Sequence, residues 1–514
     1  MLPAYPQFEA ALRIVAALRA AGYEAYFAGG CVRDLLLGRV PIDYDVATGA
    51  TPDVVLQMFP RTFAVGAHFG VVLVADGGGP GAAGASEAPA GSSFCTEVAT
   101  FRSDLAYSDG RHPDAVRYTR SAEEDVRRRD FTLNGLLLDP LQLDPLQLVG
   151  IELPALNREA NDTGLSQETK GTGLSPYNQP TQKPGASAPE GNLLRSAVLD
   201  YVGGLADLDA GLLRAIGPAE ARFEEDRLRM LRAVRFAARF GFELETHTGQ
   251  AMRALAARIH AVSRERIRDE LTKMLTEGRA RRAFELLDET GLLAQVLPEV
   301  ARMKGVEQPP QFHPEGDVWT HTLMLLDQLE AGCPMTLAWG ALLHDVGKPP
   351  TFRHAPGRIR FDGHVEVGIA MGAEICRRFR FSNEETRQIL ALIENHMRFA
   401  DAPRMKESTL KRFFRLPGFD EHLRLHRMDC LAAHGNLEIY HFVRERRAAM
   451  PEDTVRPRPL VTGRDLIAAG YVPGPAFKEM LIAAEDAQLE GAVATPEAAL
   501  RWIRKRFGAA GTPP

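Results

Sequence analysis

Gly29-Gly30-Cys31-Val32-Arg33-Asp34 leads through a short loop to Ile42-Asp43-Tyr44-Asp45-Val46. In an extended strand, residues i and i+2 point to the same face, so Asp43 and Asp45 can grip the same Mg²⁺ ions. The glycine pair lets backbone approach a triphosphate, and the start of the following helix presents free N–H groups to anions. Two divalent ions, a triphosphate and an incoming hydroxyl are the parts of phosphoryl transfer. A lone D-x-D pair is common in turns; the glycine–helix stretch just upstream gives this one its meaning.

Working outward, residues 1–75 alternate helix and strand. A helix over 8–21 leads to a strand at 25–28. A helix over 32–37 ends at Gly38, and a strand over 43–47 precedes Thr51-Pro52, a cap residue followed by proline at the first helical position. Residues 64–75 and 94–101 read as paired strands. The intervening 77–93, rich in Gly, Ala and Ser, reads as a flexible surface excursion. A second insert at 141–191 has little apolar material and reads as loose chain. From about residue 220 the pattern is helical almost throughout, with Pro298 and Pro309-Pro310 marking a boundary.

The 514 residues suggest about three or four domains, at roughly 100–200 residues each. Hydrophobic residues at 45% and charged residues at 25% are ordinary for a globular protein. A net charge of −6 excludes a globally basic nucleic-acid binder, so any RNA contact must use a local patch. The five cysteines (31, 95, 333, 376 and 430) form no C-x-x-C pair, which fits reduced thiols in a cytoplasm. The first residues lack the apolar core of a signal peptide, and no apolar run reaches membrane-spanning length. A cytoplasmic protein without a membrane partner is expected.

Four constellations carry chemistry. The first is Asp43, Asp45 and a candidate third carboxylate, Glu97. The second is Arg127-Arg128-Arg129-Asp130-Phe131-Thr132-Leu133-Asn134. An arginine run is usually a solvated face, but this one enters an apolar segment. Guanidinium forks suit triphosphate oxygens, and Asp130 or Asn134 could fix a ribose or phosphate. The third is Glu225 to Phe236, where Glu225, Arg229, Arg232 and Arg235 fall at three- and four-residue spacing on a helix, as Asp226 and Arg229 do. Intrahelical salt bridges explain that spacing as well as a base-selecting face does. The fourth is His321, His344-Asp345, His364, His396 and Asp429 on successive helical segments, an imidazole–carboxylate set suited to Mg²⁺ or a divalent transition metal. His313, His422, His426 and His434 are read as structural.

Together these residues resemble the class II tRNA nucleotidyltransferase/poly(A) polymerase family, of the bacterial type with an HD domain. G-G-x-V-R-D at 29–34, D-x-D at 43–45, T-F-R at 100–102, R-R-D-F-T-x-N at 128–134 and E-D-x-x-R at 225–229 stand in the family's order. The resemblance covers the chain apart from the inserts and is weakest in the tail. It implies an α+β fold: a mixed-sheet head (1–219), an all-α neck (220–304), an HD body (305–435) and a helical tail (436–514). It implies that Asp43 and Asp45 hold catalytic Mg²⁺ and activate the primer 3′-hydroxyl. Gly29, Gly30, Arg129 and Asp130 would hold the triphosphate and ribose of the incoming nucleotide. Arg33, Asn134 and Arg232 complete the candidate nucleotide-binding set. Asp226 and Arg229 would pair with the base edge of CTP or ATP. Residues 103–118 sit where the family has a flexible loop linked to the switch from C to A. The HD motif is similar to that of metal-dependent phosphohydrolases, associated in related enzymes with cyclic phosphodiesterase or phosphatase action on RNA ends. Tyr44, Gly135 and Arg227 depart from the family's usual residues without removing a catalytic group, and Tyr44 is expected to turn away from the metals.

The implied reaction is template-independent addition of CCA to the tRNA 3′ end from CTP and ATP, with no DNA involved. Poly(A) polymerase, and CC-only or A-only addition, share the head chemistry. An HD phosphohydrolase with an RNA-binding head, and a module that only binds RNA, are the alternatives from other classes. The metal of the HD site and the oligomeric state are open from sequence.

Overall fold

The computed structural model describes residues 6–63, 70–75, 95–105, 115–143, 194–311, 313–356 and 358–508. The insert at 77–93, most of that at 141–191 and the middle of 103–118 lie outside the described residues. The chain divides into two compact units, Met1–Val262 and Ser263–Pro514.

The first unit is built on a mixed sheet of β1 (Ala25–Ala28), β2 (Val46–Thr48), β3 (Thr62–Phe63), β4 (Val71–Ala75), β5 (Cys95–Thr100), β8 (Leu137–Leu138) and β9 (Val198–Leu199), in the order β3-β4-β5-β2-β1-β8-β9. The pairing β2–β5 is parallel and the others are antiparallel. Strands β6 (Arg102–Leu105) and β7 (Ala115–Tyr118) form a separate hairpin. The interior strand β1 explains itself from sequence. Ala-Tyr-Phe-Ala is apolar at every position because both faces are covered. Phe27 joins a core under helix Pro6–Ala20, with Ile14, Val15 and Leu18. Tyr26 and Ala28 join the opposite core, with Phe101, Val126 and Leu137. Thr51 takes the cap position of helix Pro52–Met58, although its side chain makes no cap bond. Helices Gly204–Ala210, Ala219–Glu225, Leu228–Phe240 and Thr246–Leu255 complete the unit, with the short parallel pair β10 (Leu212–Leu213) and β11 (Glu243–Leu244).

Two sequence expectations need correction here. The strand predicted over 43–47 begins only at Val46, so the D-x-D aspartates lie just before it. The helix predicted through Glu225 and Arg235 is broken at Asp226, whose φ of −143° and ψ of 106° are extended. Asp226 and Arg227 form the joint between two helices.

The second unit is mainly helical. Its middle contains helices Val318–Leu326, Met335–Leu343, His364–Arg378, Asn383–Asn395 and Phe419–Ala432. The all-helical expectation from residue 220 onward misses β11 and, in this unit, the ribbon of β12 (Arg353–Ala355) and β13 (Arg358–Arg360). The last helices, Pro475–Leu489 and Pro496–Phe507, carry their own core of Leu466, Met480, Ala499 and Ile503. Arg412 and Arg415 tie helix Pro475–Leu489 to the preceding helices through Glu485, at 2.7 and 2.6 Å. No described helix is long and apolar enough to cross a membrane.

Candidate active sites

The alternation of the D-x-D lead-in decides the head site. Tyr44 is buried and packs its ring against Phe8 and Phe27, at 5.4 and 5.5 Å. With Tyr44 pinned in the core, the backbone sends Asp43 and Asp45 the other way. Val46 pairs with Val98 in parallel register, which sets Asp45 beside Glu97. The cluster is electrostatically frustrated. Burial, then Glu97 and Asp43, push the Asp45 carboxyl up to about 7, while Arg129 pulls it down. Burial and Asp43 likewise raise Glu97. Crowded negative charge that pushes Asp45 and Glu97 upward is what a bound divalent cation would relieve, so the donor set fits Mg²⁺.

Gly29 holds a φ of 70°, open to glycine at no steric cost. A Cβ there would lie 3.1 Å from Arg129 Nη1, so backbone and guanidinium meet closely at the mouth of the carboxylate cluster. Arg129 is aimed by Asp125, a buried carboxylate outside the sequence-derived set. Asp125 Oδ2 accepts from Arg129 Nε and Nη2 at 3.3 and 3.0 Å, and Oδ1 accepts from Arg128 at 2.9 and 2.5 Å. Burial works against this carboxylate, but the two arginines hold it below its ordinary range. The signal was present in the sequence as Asp125's place three and four residues before Arg128 and Arg129.

Behind Arg129 runs a buried polar network. Asp130 Oδ2 accepts from Arg232 Nε and Nη2 at 3.0 and 2.7 Å. Its Oδ1 accepts from Asn134 Nδ2 at 3.0 Å and from the Phe131 amide at 2.8 Å. Burial raises this carboxyl, but Arg232 and Asn134 outweigh it and hold it at about 2. Asn134 Oδ1 accepts from Arg33 Nη1 at 2.7 Å, and the Arg33 guanidinium lies 4.5 Å from the Phe240 ring. Arg33 is thus buried and engaged, a support for Asn134 and Asp130. At the helix joint, Asp226 Oδ1 accepts from the Leu228 amide at 3.0 Å, and Arg229 Nη1 donates to Glu225 Oε2 at 2.6 Å. Arg229 also helps lower the Asp130 carboxyl, which places it near the same network.

The second unit holds the fourth constellation in one place. Asp317 caps helix Val318–Leu326, accepting from the Thr320 amide at 2.8 Å, and so sets His321 one turn in. The Ser382–Glu385 capping box starts helix Asn383–Asn395, which delivers His396. His344, His364 and His396 meet the carbonyls of Ala341, Phe361 and Ile393 through Nδ1, at 2.9, 3.0 and 2.7 Å. His321 Nδ1 meets Glu315 at 2.7 Å. All four Nε2 atoms therefore face inward and are buried, His321 Nε2 3.1 Å from Asp429 Oδ1 and His344 Nε2 3.2 Å from Asp345 Oδ2, while those of His364 and His396 and Asp345 Oδ1 have no hydrogen bond among the described residues. Four fixed imidazoles within 3.2–3.9 Å of one carboxylate make a candidate metal-ligand set. Among the described residues three groups could each hold an ion: His321, His344 and Asp429; Asp345, His364 and His396; and His313, Glu315 and His321.

Sequence reasoning missed Glu315, Lys348 and His313 around this centre. Lys348 is buried, with Nζ 2.7 Å from Asp345 Oδ2 and from Gln308 Oε1. His313, set aside as structural, shares Glu315 with His321 at 2.9 Å. His422 and His426 are buried, the latter stacked on Phe399 at 4.4 Å.

Residues 25–150 match a poly(A) polymerase head domain, 241–304 a probable RNA- and SrmB-binding site of polymerase A, and 318–432 an HD domain. These three matches stand in the order head, RNA-binding segment and HD domain, and they support the resemblance to the class II tRNA nucleotidyltransferase/poly(A) polymerase family. It is 36% identical over 296 residues to the CCA-adding enzyme of Geobacillus thermodenitrificans, 58% of this chain and 56% of that protein. It is 33% identical over 332 residues to that of Latilactobacillus sakei, 63% of this chain and 66% of that protein. The matched part of the chain thus spans about half to two thirds of these relatives. The Bacillus stearothermophilus CCA-adding enzyme in complex with CTP has a similar structure, with a TM-score of 0.64, 26% identity and 98% of each chain covered. The Thermotoga maritima CCA-adding enzyme complexed with tRNA shares the fold, with a TM-score of 0.53 at 15% identity over 96% of this chain and 94% of that one. Asp43, Asp45 and Glu97 all lie within the stretch that matches the poly(A) polymerase head domain.

Proposed function

We propose that this chain adds CCA to the 3′ end of tRNA from CTP and ATP, releasing pyrophosphate and using no nucleic-acid template, in the cytoplasm. The observation that carries the reading is the convergence of Asp43, Asp45 and Glu97 beside Arg129 and Gly29. Asp43 and Asp45 hold the metal ions, with Glu97 as the third carboxylate. Mg²⁺ bound there supplies Lewis acidity, lowering the pKa of the attacking hydroxyl and neutralising developing phosphate charge. Arg129, aimed by Asp125, and the Gly29-Gly30 turn hold the triphosphate. Asp130 and Asn134 hold the ribose side, braced by Arg33 and Arg232. Asp226 and Arg229, at the joint between helices, read the base edge: a carboxylate accepts from an exocyclic amine while a guanidinium donates to ring acceptors. The segments 1–219, 220–304, 305–435 and 436–514 act as head, neck, HD body and tail.

Asp43→Ala tests this. Losing a metal ligand removes several kcal/mol of transition-state stabilisation, about 10³-fold or more in rate, with the fold intact. CCA synthesis by that variant at the parent rate would overturn the assignment.

The inward-facing Nε2 atoms support a second activity, metal-dependent hydrolysis of phosphate esters on RNA ends at the HD centre. The residues His321, His344, Asp345, His364, His396 and Asp429 would hold Mg²⁺ or a divalent transition metal, and Lys348 would orient Asp345. Poly(A) synthesis remains the competing reading of the head, separated by product length and CTP use.

A further inference from the structure

We propose that the ribbon formed by β12 and β13 is a docking surface for the phosphate backbone of the RNA whose end is processed at the HD centre. The proposal rests on the reading of that centre as an RNA phosphohydrolase. The ribbon pairs Arg353 with Arg360, His354 with Ile359 and Ala355 with Arg358. Directly paired residues, and residues two apart along a strand, share a face. Arg353, Arg358 and Arg360 therefore occupy one face, with Ala355 between them. His354 and Ile359 take the other, where the His354 ring meets Phe352 at 4.9 Å.

All three arginines are exposed. Arg360 donates to Asp362 at 2.7 and 3.1 Å, whereas Arg353 and Arg358 have no ion pair among the described residues. Like charges directly opposite each other destabilise a ribbon. This small element thus holds positive charge that it does not neutralise itself, and an anion supplied from outside would do so.

The ribbon is also wired to the metal-binding residues. Its ends are closed by Phe352 and Phe361, whose rings lie 5.9 Å apart. Phe361 lies 5.5 Å from Lys348 Nζ, and its carbonyl meets His364 Nδ1 at 3.0 Å. The residue that closes the ribbon therefore also orients an imidazole of the centre. A strand whose phosphates sit on the arginines would place its terminus next to that centre. Guanidinium groups suit this role because they stay charged and fork onto phosphate oxygens.

The test uses the full chain stripped of metal and a fluorescein-labelled single-stranded RNA, with binding read by anisotropy across a salt series. Each phosphate contact to a single strand contributes about 0.7 to the slope of log K against log salt. The double variant Arg353→Gln/Arg358→Gln is expected to bind about five-fold more weakly or worse at low salt, with the slope reduced by roughly 1.4. Ala355→Arg, which adds a charge to the same face, is expected to bind more tightly, a gain that misfolding cannot produce. Unchanged affinity and slope in both variants would overturn the proposal. So would ribbon-dependent binding of polyglutamate in place of RNA, which would point to an acidic protein partner. Hydrolysis of bis(p-nitrophenyl) phosphate with added Mn²⁺ or Ni²⁺ reports the HD centre separately. Weakened RNA binding in a protein that cleaves no diester would keep the surface and reject the hydrolase reading. Active cleavage with parental RNA binding in the variants would do the reverse.

Discussion

Asp130→Asn isolates the buried pair that braces the head's nucleotide-handling segment. The carboxyl sits at about 2 instead of 3.8, because Arg232 and Asn134 outweigh the cost of burial. At 1.36 kcal/mol per pH unit, that depression corresponds to about 2–3 kcal/mol. The Arg232 side chain is 34% exposed, so solvent screening brings the expected loss to about 2 kcal/mol. The sign follows from linkage. A depressed carboxyl pKa stabilises the folded state above the unfolded value of 3.8, and that contribution disappears as pH falls towards 2. The difference between parent and variant should thus be constant from neutral pH to about 4, shrink below that, and vanish near pH 2. Tryptophan fluorescence cannot report it, because Trp319, Trp339 and Trp502 all lie in the second unit. Hydrogen exchange of peptides covering residues 126–138 follows the right region. A loss under about 0.5 kcal/mol, or one that does not change with pH between 4 and 2, would refute this account of the pair.

Three further outcomes are expected. Asp226→Ala should narrow the preference for CTP and ATP over GTP and UTP by about 10-fold or more, since a lost base-edge contact is worth roughly 1–3 kcal/mol; unchanged selectivity in single-nucleotide incorporation would remove Asp226 from base choice. Gly347→Ala puts a Cβ 2.0 Å from the His364 carbonyl and 2.6 Å from the Gly368 amide, backbone on both sides, and should cost the second unit about 3 kcal/mol in urea unfolding followed by tryptophan fluorescence. A cost under about 1 kcal/mol would mean that the two segments are not held at that distance. His396→Ala should lower the metal content of the purified protein by about one ion per chain in elemental analysis, and parental content would exclude His396 as a ligand.

The head was legible because its chemistry is local. Gly29 to Asp45 lies on consecutive elements, and the i, i+2 rule orients both aspartates once Tyr44 is seen as core. The HD histidines were legible as residue types on successive helices, although their convergence depends on capping by Asp317 and Ser382. The helix break at Asp226 was not legible, because Glu225-Asp226-Arg227-Leu228 has no glycine or proline and its charges fit continuous helical spacing. Glu315 escaped because its role comes from reaching His321 and His313, which no spacing rule describes. The β12–β13 ribbon escaped because its strands are three residues each, too short for alternation to show.

The most direct measurement is product length on a tRNA lacking its CCA end, with Mg²⁺ and CTP and ATP together and separately. A CCA-adding activity leaves three added residues with both nucleotides and stops at two with CTP alone. A long ladder with ATP alone, or no extension under any condition, would contradict it.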